Sequence, residues 1–398
     1  VCFTRAKLCP GDAVKVINLP EELSSDMTHR YSLNGFRLFR LPTPRQDSVI
    51  GILGPNGIGK STAINLLSGS IMPNLGDWID PPTDWESIIE TFPRGELRDY
   101  LTLVSEGEIS IAVKPQYIDK LPKLWSGKVS GLLTRVNDMG ELDKYAKLTG
   151  IEHLLERELK DLSGGELQRV AICATILKDA EVYFFDEPSS YLDIYERMRM
   201  VSIIQDLASK GKRVLVVEHD LAILDVLCDM LHIIYGDRGA YGIFTPSRTT
   251  RGAINAYLDG FLPEENVRIR DKPIKFLRGR TRGDEIGQPI IKWGDMEKTL
   301  GDFKLITGKG EVKSAEVVGV VGPNATGKTT MAKLIAGELE PDSGWCTTNA
   351  KISYKPQHVN TEFEGSVQNW MDMEIGMKWR SGEFNTQVII QTVITLLN

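Results

Sequence analysis

A chain of 398 residues, 41% hydrophobic and 25% charged, is ordinary for a globular protein and long enough for roughly two to three domains with proper cores. Its formal net charge of −7 excludes a global nucleic-acid footprint, so any basic surface must be local. There is no apolar run near the ~20 residues of a membrane span and no visible signal peptide, and the five scattered cysteines make no disulfide framework, which points to a reducing compartment.

In chain order, the first chemistry is a phosphate-binding loop. Residues 49–53 are an apolar run that predicts a buried strand. Gly54-Pro55-Asn56-Gly57-Ile58-Gly59-Lys60-Ser61-Thr62 follows and fits G-x-x-x-x-G-K-[ST], and residues 63–67 read as the start of a helix. The same order recurs 268 residues later, where residues 317–321 predict a strand, Gly322-Pro323-Asn324-Ala325-Thr326-Gly327-Lys328-Thr329-Thr330 is the loop, and a helix begins at Met331. The repeat is wider than the loops. Phe36-Arg37-Leu38 lies 18 residues before Gly54 and Phe303-Lys304-Leu305 lies 19 before Gly322; Lys114-Pro115-Gln116 and Lys355-Pro356-Gln357 follow the two loops. Matching elements on both sides imply a duplicated domain. The first copy carries about 27 extra residues, which read as two short helices around Pro93-Arg94-Gly95; they are either a surface hairpin or a docking element.

The loop chemistry is set by its backbone. Gly57 and Gly59 let N–H groups converge on phosphates, with Asn56 and Thr62 beside them, and the helix N-terminus adds its positive end. Lys60 reaches the β- and γ-phosphate oxygens and the Ser61 hydroxyl binds Mg²⁺. In the second copy the same parts fall to Asn324, Gly327, Lys328, Thr329 and Thr330, with Ala325 standing where the first loop has Gly57. Downstream, residues 182–185 are an apolar strand ending in Asp186-Glu187. Asp186 suits Mg²⁺ and Glu187 suits polarising the attacking water. A second buried-type strand, residues 214–217, ends in Glu218-His219-Asp220, placing His219 to orient that water. Gln116 can sense metal and water from its own loop. Leu162-Ser163-Gly164-Gly165-Glu166 opens a helix, a second anion-binding N-terminus that a site with its own phosphate loop does not need in cis.

Together these residues resemble the ATP-binding cassette superfamily: Walker A at 54–62, Q-loop Gln116, signature 162–166, Walker B ending in Asp186, catalytic Glu187, a D-loop at Ser190-Tyr191-Leu192-Asp193 and H-loop His219. Val16-Ile17-Asn18-Leu19-Pro20, His29-Arg30-Tyr31, Lys114-Pro115-Gln116-Tyr117 and Ser189-Ser190-Tyr191-Leu192-Asp193 narrow the likeness to the ABC-E family, the ribosome-recycling ATPases also called RNase L inhibitors. The resemblance implies an α/β fold of tandem P-loop nucleotide-binding domains joined by a hinge. It divides the chain into a ferredoxin-like remnant (1–20), a first domain (21–243, with a helix-loop-helix insertion at about 84–110), a hinge (244–285) and the N-terminal part of a second domain (286–398). It places Tyr31 and Phe36 around the adenine, with Phe303 the internal equivalent of Phe36. It also gives Ser61, Gln116, Asp186, Thr329 and Gln357 to Mg²⁺, and Ser163, Gly164 and Gly165 to the nucleotide of the opposite domain.

The family's partners would be the small ribosomal subunit, its RNA and translation termination or initiation factors, in the cytoplasm. The chain would be a monomer with its two domains paired and no membrane. The basic run from Arg268 to Arg282, seven basic residues and one acidic, would be either the hinge that touches RNA or a solvated linker. The family's two [4Fe–4S] clusters are represented by Cys2 and Cys9 of a C-x₂-C-x₃-C-P pattern whose middle position is Arg5, so no cluster is expected here. Both ends read as cut. The first site has Lys60, Asp186, Glu187 and His219 but no signature from the other copy; the second has Lys328 and a borrowed signature but no Walker B. Binding of Mg-ATP with slow turnover is therefore expected of this stretch alone.

Overall fold

The computed structural model describes residues 19–23, 25–276, 287–301, 303–355, 365, 366 and 369. They form a larger unit built on residues 19–276 and a smaller one built on residues 287–321 and 326–355.

The larger unit is organised by one sheet. In chain order it contains β1 (Met27–Arg30), β2 (Arg37–Phe39), β3 (Ser48–Leu53), α1 (Lys60–Leu67), α2 (Trp85–Thr91), α3 (Glu96–Glu106), β4 (Ile111–Lys114), α4 (Leu121–Leu124), α5 (Val129–Arg135), α6 (Leu142–Thr149) and α7 (Gly164–Ile176). It continues with β5 (Val182–Asp186), α8 (Ile194–Ser209), β6 (Arg213–Val217), α9 (Leu221–Leu227), β7 (Met230–Asp237), β8 (Tyr241–Phe244), β9 (Arg248–Thr249), α10 (Thr250–Asp259), β10 (Phe261–Leu262) and β11 (Val267–Arg268). The sheet runs β1-β2-β8-β7-β3-β6-β5-β4, with β9 on β7. β7, β3, β6, β5 and β4 pair in parallel, so their ends line up on one edge.

The central strands read as continuous apolar runs because both faces are covered. Alternate residues sort cleanly between two clusters. Ile50, Ile52, Val182, Phe184, Leu215 and Val217 face α1 and the insertion, while Val49, Leu53, Tyr183, Phe185, Val214 and Val216 face the helices from α5 to α10. The insertion is α2 and α3, as the sequence predicts. Asp84 caps α2 through the Ser87 N–H. Ile89, Tyr100 and Leu101 are buried against Ile64, Leu66 and Leu67 of α1, and the Tyr100 hydroxyl donates to the Leu67 carbonyl at 2.7 Å. The insertion is therefore part of the core beneath the phosphate-loop helix.

The expected hinge does not begin at 244. β9 pairs with β7, and Ala253, Ala256, Leu262 and Val267 are buried in the larger cluster, so residues 244–268 belong to the first unit. Part of the basic run is structural too. The Arg270 guanidinium donates to the carbonyls of Tyr257 and Leu258 and lies 5.1 Å from the Tyr257 ring, whereas Lys272 and Lys275 are exposed. Residues 277–286 lie outside the described residues.

The smaller unit is an antiparallel sheet of β12 (Pro289–Leu300), β13 (Phe303–Ile306), β14 (Gly310–Lys313) and β15 (Ser343–Thr348), with α11 (Lys328–Ala336). Residues 317–321, predicted as a strand, are irregular, with Val317 and Val321 almost fully exposed. The reason lies in the first copy, where the equivalent strand β3 is held between β6 and β7. No described residue of the smaller unit pairs with 317–321.

His232 in β7 carries a testable electrostatic consequence. Its Nδ1 donates to the Thr245 carbonyl at 2.8 Å and its Nε2 accepts from the Thr43 N–H at 3.3 Å, so both nitrogens are committed to the neutral ring. Burial pushes its pKa down to about 4. The unfolded chain then binds the extra proton first, so this contribution is full above pH 6.5 and is lost as pH falls toward 4, at most about 3 kcal/mol. His232→Gln, which can make both hydrogen bonds but cannot titrate, should flatten the decline in thermal midpoint between pH 6.5 and 4. An unchanged slope would assign the decline to other groups.

Candidate nucleotide site

The first phosphate loop connects β3 to α1, and Gly59 makes the junction at φ 96°. A Cβ there would lie 2.5 Å from the Phe36 ring and 2.9 Å from Leu38, so glycine is required by backbone angle and by space. The second loop repeats this. Gly327 has φ 90°, and a Cβ on it would lie 2.8 Å from Phe303 and 2.9 Å from Leu305. The two aromatic residues paired from sequence spacing thus occupy the same place in both copies. Tyr31 joins Phe36 in the first copy: its N–H donates to the Phe36 carbonyl, and its hydroxyl lies 3.3 Å from Thr62 Oγ1. An exposed aromatic side chain and a ring packed on the loop glycine therefore stand together at the start of α1, where a base could stack.

Lys60 is nearly buried. Its ammonium donates to the carbonyls of Gly54 (2.9 Å) and Pro55 (2.8 Å) and to Asn56 Oδ1 (3.2 Å), and burial lowers its pKa to about 8. Ser61 Oγ donates to Asp186 Oδ2 at 3.2 Å, which brings together the hydroxyl and the carboxylate expected to share a metal. No cluster of three or more His, Cys, Asp or Glu able to hold a metal occurs among the described residues. One hydroxyl and one carboxylate oxygen fit Mg²⁺, which is held largely by substrate phosphates and water rather than by an all-protein cage.

Glu187 gathers the rest of the site. Gln116 Nε2 donates to its Oε1 at 2.8 Å, His219 Nε2 lies 3.4 Å from the same oxygen, and Ser190 Oγ lies 3.4 Å from Oε2. The hydrogen bond from His219 holds the Glu187 carboxyl below the usual range, helped by Gln116 and Lys60 and opposed by burial. Asp186 is shifted the other way, first by burial and then by the adjacent Glu187 charge. Two neighbouring carboxylates pushed apart in this way are a mark of a functional site. Gln116, Glu187, Ser190 and Tyr191 line one cleft of about 350 Å³.

The signature forms its own cluster at the start of α7. Ser163 caps the helix, and Glu166 returns the bond by accepting from the Ser163 N–H at 2.8 Å, a capping box. The glycines have a steric reason: a Cβ on Gly164 would lie 3.1 Å from the Tyr191 ring, and one on Gly165 would lie 3.0 Å from the Tyr191 carbonyl.

Three residues escaped the sequence reading. Glu218 is buried and accepts from the N–H groups of Ser189 and His219 at 2.8 and 3.1 Å, tying the ends of β5 and β6 together. Lys114 donates to the main-chain carbonyls of Asp186 and Glu187, and Gln168 to that of Glu187. Burial lowers the Lys114 pKa to about 8. Each had a signal, since a charged residue ends an apolar strand and a glutamine sits among the buried positions of α7. Glu187 itself has φ 48°, a left-handed conformation that costs a non-glycine residue on the order of 1–3 kcal/mol. Cys2, Cys9 and Gln357 lie outside the described residues.

A phosphate loop, a strand-end carboxylate pair and a strand-end histidine on the parallel strands of one sheet define an ATP-binding cassette. A family model described as ABC transporter matches residues 43–190 and 308–388. The translation initiation factor RLI1 of Saccharomyces cerevisiae is 41% identical over 98% of this chain, and ABC transporter E family member 1 of Arabidopsis thaliana is 39% identical over the same share. Among solved structures, an RNase-L inhibitor aligns with a TM-score of 0.83 at 44% identity, covering 92% of this chain and 70% of that one. A chain in a model of ribosome-bound archaeal Pelota and ABCE1 aligns with a TM-score of 0.86 at 44% identity, covering 96% of this chain and 64% of that one. The chain belongs to the ABC-E family. It spans 65% of the length of the yeast and Arabidopsis relatives.

The two loops differ at one backbone position. Ala325 has φ 61° where Gly57 has φ 77°, and a side chain in the left-handed region is strained by roughly 1 kcal/mol relative to glycine. Ala325→Gly should tighten nucleotide binding at the second loop severalfold, and Gly57→Ala should weaken it at the first. Titration of each single-site variant with a fluorescent ATP analogue checks both; equal affinities before and after would remove the argument.

Proposed function

We propose that this chain binds Mg-ATP at its first phosphate loop, hydrolyses it, and uses the nucleotide cycle to split and recycle ribosomal subunits in the cytoplasm. The observation that carries the ATPase reading is the convergence of Gln116 and His219 on Glu187, beside the Ser61–Asp186 pair and Lys60. Lys60 would neutralise the β- and γ-phosphates once its ammonium turns from the loop carbonyls, and the Tyr31–Phe36 pair would hold the adenine. Mg²⁺, when bound, supplies charge neutralisation on phosphate oxygens, with Ser61, Asp186 and Gln116 as its holders. Glu187 would orient and deprotonate the attacking water, with His219 and Gln116 fixing its carboxylate. Thr329, Thr330, Lys328, Gly327, Asn324 and Phe303 would do the equivalent binding work in the second copy.

The ribosomal part rests on the relatives, which include a ribosome recycling factor aABCE1 in complex with the ribosomal stalk protein aP1. By the same likeness the small subunit, its RNA and termination or initiation factors are the proposed partners. The exposed Lys272 and Lys275 would belong to an RNA-facing hinge. No helix among the described residues is long and apolar enough to cross a membrane. A second reading, a nucleotide-dependent clamp that turns over poorly, is favoured by the strained Ala325 of the second loop.

Single-turnover hydrolysis, with and without purified ribosomal subunits, separates the readings. Glu187→Gln should lower the rate about 100-fold or more while leaving Mg-ATP affinity nearly unchanged, and sedimentation should show ATP-dependent attachment to small subunits. Hydrolysis equal to that of Glu187→Gln, with attachment intact, selects the clamp; nucleotide-independent sedimentation defeats the recycling proposal.

A further inference from the structure

The left-handed turn at Glu187 is held by side chains from two other elements. The Glu187 N–H donates to the Val217 carbonyl at 2.9 Å. Its carbonyl accepts from Gln168 Nε2 at 2.8 Å and from Lys114 Nζ at 3.3 Å, and Lys114 also donates to the Asp186 carbonyl at 2.8 Å. Both Lys114 and Gln168 are 0% exposed. An ammonium buried for packing alone would be better replaced by methionine, because leaving water is costly for a charge. Gln168 likewise keeps an amide whose Oε1 has no partner among the described residues, so the retained feature is its N–H donor.

We infer that Lys114 and Gln168 are positioning residues that together clamp the Glu187 peptide in its left-handed turn and so aim its carboxylate. Lys114 lies at the end of β4, two residues before Gln116, whose amide donates to the same residue's Oε1. That one segment therefore grips Glu187 by main chain and by side chain. Gln168 lies one turn beyond Gly164 on α7, so the helix that opens at the signature grips the same peptide. Neither residue reaches the cleft directly; both act through Glu187. The catalytic consequence rests on the ATPase reading above, but the clamp itself does not.

The test uses the full chain with Lys114→Met and Gln168→Met, each close in length and lacking the donor. Peptide-resolved hydrogen exchange without nucleotide should show roughly tenfold faster exchange over residues 184–192 in both variants. Exchange in α10 should stay unchanged. Mg-ATP affinity should stay within about threefold, while single-turnover hydrolysis falls roughly tenfold or more. Unchanged protection at 184–192, acceleration throughout the chain, or failure of both variants to fold would each overturn the clamp. Wild-type hydrolysis no faster than that of Glu187→Gln would instead count against the ATPase reading, with the exchange data still deciding the clamp.

Discussion

Two adjacent carboxylates at the end of a fully buried strand set the terms for the first unit. Asp186 and Glu187 follow four apolar residues of β5, and burial together with mutual repulsion disfavours having both ionised. The molecule meets this cost by bringing donors from every neighbouring strand end. Lys60 comes after β3, Lys114 and Gln116 come from the end of β4, and His219 follows β6. Parallel pairing of these strands makes the convergence possible, since it puts all their C-terminal ends on one edge. Charge, topology and hydrogen bonding therefore answer a single problem.

The comparison of the two copies shows what that sheet contributes. In the first, β3 is buried because β6 and β7 complete its ladder, and its side chains alternate between two apolar clusters. In the second, an apolar segment of the same kind leads to a similar loop and helix, yet is irregular, with no strand among the described residues paired to it. The loop geometry survives regardless: Gly59 and Gly327 have nearly the same φ and face the same aromatic and leucine. Phosphate-loop conformation is thus a local property, whereas strand formation is not.

That division explains what the sequence could disclose. The glycines, the aromatic residues before each loop and the Asp186-Glu187 pair are short-range patterns with a steric or electrostatic reason, and they were legible. The two insertion helices were legible from Asp84, Pro93 and Gly95 for the same reason. Lys114, Gln168 and Glu218 were not, because their partners lie 72, 19 and 29 residues away and all three bind main-chain atoms that carry no sequence signature. The start of the hinge was misplaced because residues 244–268 are tied to β7 and the larger cluster by contacts that local composition does not encode. The strand at 317–321 failed through the converse: its own residues suit a strand, and strand formation depends on neighbours.

The packing of the insertion has a mechanical meaning. α2 and α3 share an apolar cluster with the underside of α1, and the Tyr100 hydroxyl is bonded to the carbonyl of Leu67, the last residue of that helix. A lateral load on the pair is delivered through buried side chains to the far end of the helix whose first residue is Lys60. The insertion works as a stiff strut: anything that leans on it pushes on the phosphate loop.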